Sequence, residues 1–243
     1  NPKMRPFIFT TYKKLHIINL DKSIEKFKSA TTFIEKLAKN NSKILFVGTK
    51  RAAREIIQKY ATDVKMPYVN NRWLGGMLTN FDTVKKSIQK LEDLQRNLER
   101  SKLLEDMTKK ETLTIKKQIM KLEKNLAGIK NLEKLPDALF VIDTRYEKIA
   151  IQEANKLNIP VIAIVDSNNS FDGVDYMIPG NDDSMSSIEL FVSEISRIIS
   201  NNKQQTQSKT DNQASSRKST RKKQVIEVEK NKSIKQSEPD KRG

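Results

Sequence analysis

Residues 43–48 read Lys43-Ile44-Leu45-Phe46-Val47-Gly48, a short uninterrupted apolar run that ends in a glycine. Successive side chains of a strand point to opposite faces, so an unbroken apolar run predicts a strand that is buried on both faces. Such strands are typical of a parallel sheet covered by helices on each side. Apolar residues near a helical period predict one helix before this strand, at residues 22–39, and another after it, at residues 50–62.

The same alternation returns in the second half of the chain. Three further apolar runs predict strands at residues 138–143, 160–166 and 175–178. Helices are predicted at residues 146–157 and 184–200, and Asn181-Asp182-Asp183 offers N-cap side chains for the second of them. Buried strands that alternate with amphipathic helices predict an α/β fold with right-handed crossovers, a Rossmann-like or flavodoxin-like parallel sheet flanked by helices.

A β-hairpin is predicted before this domain. Apolar runs at residues 7–9 and 15–18 flank the sequence Thr11-Tyr12-Lys13-Lys14, which gives the hairpin a basic tip. The only histidine, His16, lies in one of its strands, where a structural role is the simpler interpretation.

Residues 82–134 follow a different period and predict an inserted antiparallel coiled-coil hairpin. Two apolar seams step by three and four residues: Val84, Ile88, Leu91, Leu94 and Leu98, and then Ile115, Ile119, Leu122, Leu126 and Ile129. Thr108 and Glu111 form a capping-box pattern where the second helix begins, after a loop near residues 101–107. Lysine pairs at 85–86, 109–110 and 116–117 suit contact with another molecule, and a structural spacer is the alternative.

These patterns divide the chain into four parts. Residues 1–81 form the N-terminal half of the α/β domain with the hairpin, residues 82–134 the coiled-coil insertion, and residues 135–200 the C-terminal half. Residues 201–243 are predicted to be a disordered basic tail, because they offer too little apolar surface to offset the entropy of ordering. The basic cluster at residues 217–223 could contact RNA electrostatically.

The charge of the 243-residue chain is unevenly distributed. The net charge of +16 arises from +11 over residues 1–81, +5 over 82–135, −7 over 136–200 and +7 over 201–243. This asymmetry predicts a polyanionic partner at one face.

The composition excludes several classes of protein. With no cysteine, disulfide scaffolds, cysteine-ligated zinc and thiol catalysis are excluded. No apolar run approaches the roughly 20 residues that cross a bilayer, so we expect a soluble protein without a membrane partner. Because the chain begins at Asn1 rather than methionine, we also expect it to be a processed product or a fragment.

A Rossmann-like sheet raises the possibility of a nucleotide-binding enzyme. Gly48-Thr49-Lys50 resembles a truncated phosphate loop, but neither glycine-rich phosphate motif is present, so we expect no cofactor. Asp143 and Asp166 both end strands, where α/β proteins bind ligands, and could act as a carboxylate pair. Capping and turn formation is the favoured interpretation for both, and we predict no catalytic residue and no metal site.

Residues 67–80 combine the only tryptophan with an arginine, two adjacent glycines and several amides. Arg72 could contact phosphate, Asn71 and Asn80 could donate hydrogen bonds, and Gly75 and Gly76 allow close approach of RNA to the backbone. The alternative is that Trp73 fills the core while the glycines make a turn. The two interpretations are compatible.

This segment also carries a family resemblance. Its residues 71–80, with residues 1–9, 16–20, 45–50, 128–130 and 178–183, resemble in order the successive motifs of the bacterial-type ribosomal protein S2 family, over about residues 1–185. The resemblance implies a non-catalytic α/β protein with a projecting coiled-coil hairpin, between the head and body of the small ribosomal subunit. It implies small-subunit rRNA and neighbouring ribosomal proteins as partners, including docking of the large mRNA-binding protein S1, rather than a free homo-oligomer.

The resemblance, together with the charge pattern, selects candidate rRNA-binding residues. They are Lys3, Arg5, Lys13, Lys14, Lys50, Arg51, Arg54, Asn71, Arg72, Trp73, Asn80, Lys85, Lys86, Lys109, Lys110, Lys116 and Lys117. Relatives carry a glycine- and histidine-containing segment before the motif that opens this chain, and a metal held there could share Asp166 or Asp182. Asn71 stands where many relatives have histidine. The expected location is a cytoplasmic ribosome, with a mitochondrial or plastid ribosome as the alternative.

Two other classes of function remain open from the residues alone. One is a nucleotide-handling enzyme with Thr49, Lys50, Asp143 and Asp166 around the sheet crevice. The other is a scaffold that binds protein partners through the coiled coil.

Overall fold

A computed structural model describes residues 1–13, 15–104 and 108–203 of the chain. Its central element is a five-stranded, wholly parallel sheet, with helices against both faces. The strands are β3 (Ile44–Val47), β4 (Tyr68–Val69), β5 (Ala138–Ile142), β6 (Val161–Val165) and β7 (Tyr176–Pro179). The short strands β1 (Ile8–Tyr12) and β2 (Leu15–Ile18) form a separate antiparallel hairpin. The predicted α/β fold with a parallel sheet is therefore confirmed.

The strands of the sheet lie in the order β4-β3-β5-β6-β7. Numbered within the sheet this order is 2-1-3-4-5, that of flavodoxin-like folds, and the direction of winding reverses between β3 and β5. Sequence analysis missed β4, because two residues are too few to show a strand period.

The helices are α1 (Leu20–Lys39), α2 (Arg54–Asp63), α3 (Phe81–Leu104), α4 (Lys109–Leu126), α5 (Lys148–Lys156) and α6, whose helical residues run over 185–203. Short 3-10 helices span Pro2–Phe7 and Ala127–Ile129. In this described part of the chain, no helix combines the length and the apolar character needed to cross a membrane.

Two apolar cores lie on the opposite faces of the sheet. Alternate strand residues such as Phe46 and Phe140 pack with α1, α2 and α6 on one face. Their neighbours Leu45 and Leu139 pack with α5, residues 73–78 and the base of α3 and α4 on the other. The unbroken apolar strands thus supply both cores, as their sequences predict.

Helices α3 and α4 contact each other where the inserted hairpin is predicted. Gln95 bonds to Glu123 at 2.5 Å and Lys130 lies 3.8 Å from Glu92, so the two segments run antiparallel. The capping box of Thr108 and Glu111 is confirmed. Helix α3 extends to Leu104, beyond the predicted start of the loop, and residues 105–107 lie outside the described chain. The supercoiled seam stays a prediction, and the tail lies outside the described residues from 204 onward.

Candidate nucleic-acid interface

Lys50 follows β3 at the carboxyl end of the sheet, beside the point where the winding reverses. Its ammonium lies 2.7 Å from Asp182 Oδ1, 3.1 Å from Asp143 Oδ2 and 2.5 Å from Asp183 Oδ1. Only 19% of the Lys50 side chain is exposed. Strand ends that are far apart in sequence thus bring one cation and three carboxylates together.

Burial and charge shift the proton affinities of this cluster. Burial alone would lower the pKa of Lys50, but hydrogen bonds to its three aspartates raise that pKa well above its usual range. Burial, together with repulsion from Asp143 and Asp166, raises the pKa of Asp182 to about 6, although the Lys50 ammonium opposes this increase. Asn169 Nδ2 donates to both Asp143 and Asp182. The cluster therefore carries more negative than positive charge.

Asp143 performs the turn-forming part of the role that sequence analysis favoured, whereas the N-cap of α5 is Glu147. Its Oδ1 accepts hydrogen bonds from the backbone N–H groups of Arg145 and Tyr146, each at 3.0 Å. Asp166 lies with Asp182 and Asp183 in a group whose carboxylate oxygens fall within 4.8 Å of one another. Such oxygens are ligands for a hard cation, but the Lys50 ammonium already contacts two of the three residues.

The crevice predicted for a nucleotide is lined by the chain's own carboxylates. The backbone N–H and the hydroxyl of Thr49 both donate to Glu147 Oε1, at 2.7 and 2.6 Å. Burial raises the pKa of Glu147 against the opposing hydrogen bonds from Thr49. A phosphate placed here would lose the Thr49 donors and meet Asp143 and Asp182, so this edge disfavours anions.

We therefore expect no thermal stabilisation by ATP, GTP or NAD. A ligand that binds the folded state raises its apparent stability by about 2.7 kcal/mol at a hundred times its dissociation constant. Differential scanning fluorimetry with each nucleotide at millimolar concentration measures this effect. A concentration-dependent rise in Tm would restore the nucleotide-binding hypothesis.

The tryptophan segment is held by one buried carboxylate. Glu153, on α5, accepts hydrogen bonds from Trp73 Nε1 at 3.1 Å and from the backbone N–H groups of Gly76, Leu78 and Thr79 at 2.7, 2.9 and 3.1 Å. The Thr79 hydroxyl donates to the same carboxylate at 3.2 Å. Burial would raise the pKa of Glu153, but these hydrogen bonds together lower it below its usual value. Glu153 therefore fixes residues 73–79 as a turn, and Gly76 adopts a positive φ of 85° within it.

A polar cleft of about 470 Å³ lies beside this turn. Its lining includes the cations Arg54, Arg72 and Lys124, the amide of Asn71, the aromatic rings of Trp73 and Tyr146, and the carboxylate of Glu147. Arg54 is fixed by a 2.7 Å hydrogen bond from Nε to the Thr49 carbonyl, and Asn71 donates to Asn125 Oδ1 at 2.6 Å. Arg72 and Lys124 are exposed, and Tyr146 is 61% exposed. The cleft offers cations for phosphates and an aromatic face for a base.

The structure separates the remaining predicted residues into two groups. Some have partners within the chain: Lys3 pairs with Asp172, Lys13 lies 5.3 Å from the Tyr12 ring, Lys85 lies 4.9 Å from the Phe81 ring, Asn80 accepts from Thr83, and Trp73 is buried. Others have exposed side chains: Arg5, Arg51, Lys86, Lys109, Lys110, Lys116 and Lys117. Lys14 lies outside the described residues.

Three residues of this region were not found by sequence analysis. Glu153 resembles an ordinary solvated helix residue, although its apolar neighbours Ala150, Ile151 and Ala154 place it beside the buried face of α5. Lys124 and Tyr146 have no distinctive local pattern, and only the fold brings them to the cleft.

Comparison with known proteins agrees with the resemblance seen in the sequence. Residues 1–202 match the family described as ribosomal protein S2. A curated relative, the small ribosomal subunit protein uS2 of Pseudoalteromonas translucida, is 50% identical over 206 residues, which cover 85% of this chain and 85% of the relative.

Proposed function

Since this chain belongs to the ribosomal protein S2 family, we propose that it binds small-subunit rRNA through the cleft beside the tryptophan turn and the exposed cations around it. The family is one of structural ribosomal proteins, not of enzymes, and its bacterial-type members are constituents of the small subunit. A ribosome-bound location follows from that membership.

The cleft is the observation that carries the proposal. Arg54 and Asn71 are held in place by hydrogen bonds, whereas Arg72 and Lys124 remain exposed beside them. A preordered polar wall with free cations at its rim suits a folded RNA, whose backbone is contacted by cations and amides. Tyr146 supplies a surface on which an unpaired base can stack.

The predicted rRNA-binding residues take two roles in this proposal. The exposed cations contact phosphates directly: Arg5, Arg51, Arg72, Lys86, Lys109, Lys110, Lys116 and Lys117, together with Lys3 and Lys13, whose partners Asp172 and Tyr12 lie at the surface. Lys50, Arg54 and Trp73 act as positioning residues, because their polar atoms already bond within the chain. Asn71, Asn80 and Lys85 complete the proposed surface, and Lys14, outside the described residues, stays a predicted contact.

We also propose that the acidic half, residues 136–200, faces solvent or protein between the head and body of the subunit, except around Tyr146 at the cleft, and supports the docking of S1. Its net charge of −7 disfavours RNA, and it exposes apolar side chains such as Met185 and Leu190 that suit protein contacts. A cytoplasmic ribosome is the proposed location.

Charge reversal at Arg72 should weaken rRNA binding by about tenfold or more, because a hydrogen bond to a charged group contributes roughly 1.5–3 kcal/mol. Filter binding of the purified chain to small-subunit rRNA measures the effect. Lys156→Glu is the matched control, since Lys156 is exposed at the opposite end of α5. We expect its binding to match that of the unmodified chain.

The affinity of the unmodified chain should also fall steeply with salt, because each phosphate contact releases counterions. A flat salt response, or equal losses from Arg72→Glu and Lys156→Glu, would contradict the proposed interface.

A further inference from the structure

Helix α4 carries all six of its lysines on one side. At 100° per residue, Lys109, Lys110, Lys116, Lys117, Lys121 and Lys124 fall within a sector of about 140°, and every one of them is exposed. The apolar seam of Ile115, Ile119, Leu122 and Leu126 occupies the other side. We call the exposed sector the α4 lysine face.

The α4 lysine face has an internal order. Lys109 and Lys116 form one row, and Lys110, Lys117 and Lys124 form a second, each with a spacing of seven residues or about 10.5 Å. Between the rows lie Leu113 and Met120, which are 55% and 68% exposed. The face is thus an exposed apolar ridge flanked by two lines of ammonium groups.

The two acidic residues of α4 lie outside this sector. Glu111 bonds to Thr108 within the capping box, and Glu123 accepts a hydrogen bond from Gln95 on α3. Helix α3 differs, because Asp82, Asp93 and Glu99 are interspersed among its exposed cations. Arg96 pairs with Asp93 at 2.8 Å. Among the described side chains of the two helices, only those of α4 form a face of a single sign.

The α4 lysine face continues into the cleft. Lys124, at the last turn of α4, is one of the residues that line the cleft with Arg72. From Lys109 to Lys124 the face is about 22 Å long. It has no aromatic residue on which an unpaired base could stack, whereas recognition of single-stranded RNA depends on such stacking.

We propose that the α4 lysine face binds the backbone of an rRNA duplex along its shallow minor groove, independently of sequence. The two lysine rows contact phosphates on either side of the groove, and the ridge of Leu113 and Met120 lies against the riboses. This inference rests on the proposed rRNA binding and adds which helix is used and which form of RNA it takes.

The test compares two full-length variants with equal loss of charge. In one, Lys110, Lys116 and Lys117 on α4 are changed to glutamine. In the other, Lys90, Arg96 and Arg100 on α3 are changed to glutamine. All six side chains are exposed, so circular dichroism should show unchanged folding. Binding to purified small-subunit rRNA is measured over a salt series, with an unrelated RNA duplex and an unrelated single strand as competitors.

We expect the α4 variant to lower the slope of log K against log salt by about two to three, since each lost phosphate contact removes about one. The α3 variant should change the slope by less than about one. The unrelated duplex should compete with rRNA for the unmodified chain but much less for the α4 variant.

Equal slopes for the two variants, or competition by the single strand alone, would overturn this inference while leaving rRNA binding intact. An α4 variant that keeps its RNA slope but loses another ribosomal protein from its complexes would also overturn it, in favour of a protein partner. Failure of the unmodified chain to bind rRNA would instead refute the proposed function.

Discussion

Replacing Glu153 with alanine should lower the free energy of unfolding by about 3–5 kcal/mol, because several buried donors lose their acceptor at once. The carboxylate accepts from the Trp73 indole, from three backbone N–H groups of residues 76–79 and from the Thr79 hydroxyl. Each unsatisfied buried donor costs about 1–3 kcal/mol, and water entering the vacated space offsets part of the sum. Urea denaturation at neutral pH measures the change.

Glu153→Gln is the matched control. It keeps the volume and one acceptor oxygen, so we expect the free energy of unfolding to fall by about 1–2 kcal/mol.

The contribution of Glu153 to the free energy of unfolding should also depend on pH. Its folded pKa lies below the ordinary value of 4.5, so the contribution is fully present above pH 4.5 and is lost as the pH falls through the folded pKa. Equal stability of the alanine variant and the unmodified chain would show that Glu153 does not hold the turn.

Lys50→Met should cost about 3–5 kcal/mol at pH 7.5, because it leaves the surrounding carboxylates without their cation. Asp143 and Asp182 are both buried, and the Lys50 ammonium lies within 3.1 Å of each. Asp183→Asn is the control. Its side chain is 65% exposed, and the loss of an exposed ion pair costs about 1 kcal/mol or less.

The pH dependence of the free energy of unfolding, compared between Lys50→Met and the unmodified chain, gives a second measurement. The folded pKa of Asp182 is about 6, above its ordinary 3.8, so the native state binds the additional proton between these values. Its contribution to stability is therefore present below about pH 4 and is lost as the pH rises through 6. Without Lys50 the carboxyl pKa rises further, so the deficit of Lys50→Met should be smaller at pH 5 than at pH 7.5. A deficit independent of pH would contradict this account of the cluster.

The sheet could be predicted from local sequence because its strands are buried on both faces. Apolar runs such as residues 44–47 and 138–142 can be assigned as buried strands without knowing which segments pack beside them. The order of the strands could not be predicted, since it depends on which edges pair. The two-residue strand β4 pairs with β3 through Phe46 and Val47, and the runs alone do not show this pairing.

Sequence analysis predicts roles for single residues of the polar clusters but not the contacts that join them. Sequence analysis favours capping and turn formation for Asp143, and its Oδ1 does accept from the turn that follows it. Its ion pair with Lys50, however, joins residues 93 positions apart. Trp73 was given both a core role and an RNA role. The structure places the indole in the core, hydrogen-bonded to a carboxylate 80 residues away. Contacts between residues so far apart in the sequence depend on the topology of the fold, and no local sequence pattern predicts them.

Co-sedimentation with small ribosomal subunits is the most direct test of the central claim that this chain is a structural RNA-binding protein of the small subunit. The protein is followed through a sucrose gradient of cell lysate at low salt and again at high salt. We expect it in the small-subunit fractions at low salt, with Arg72→Glu shifted toward the top of the gradient and Lys156→Glu unshifted. Free protein at the top of the gradient at both salt concentrations would contradict the account.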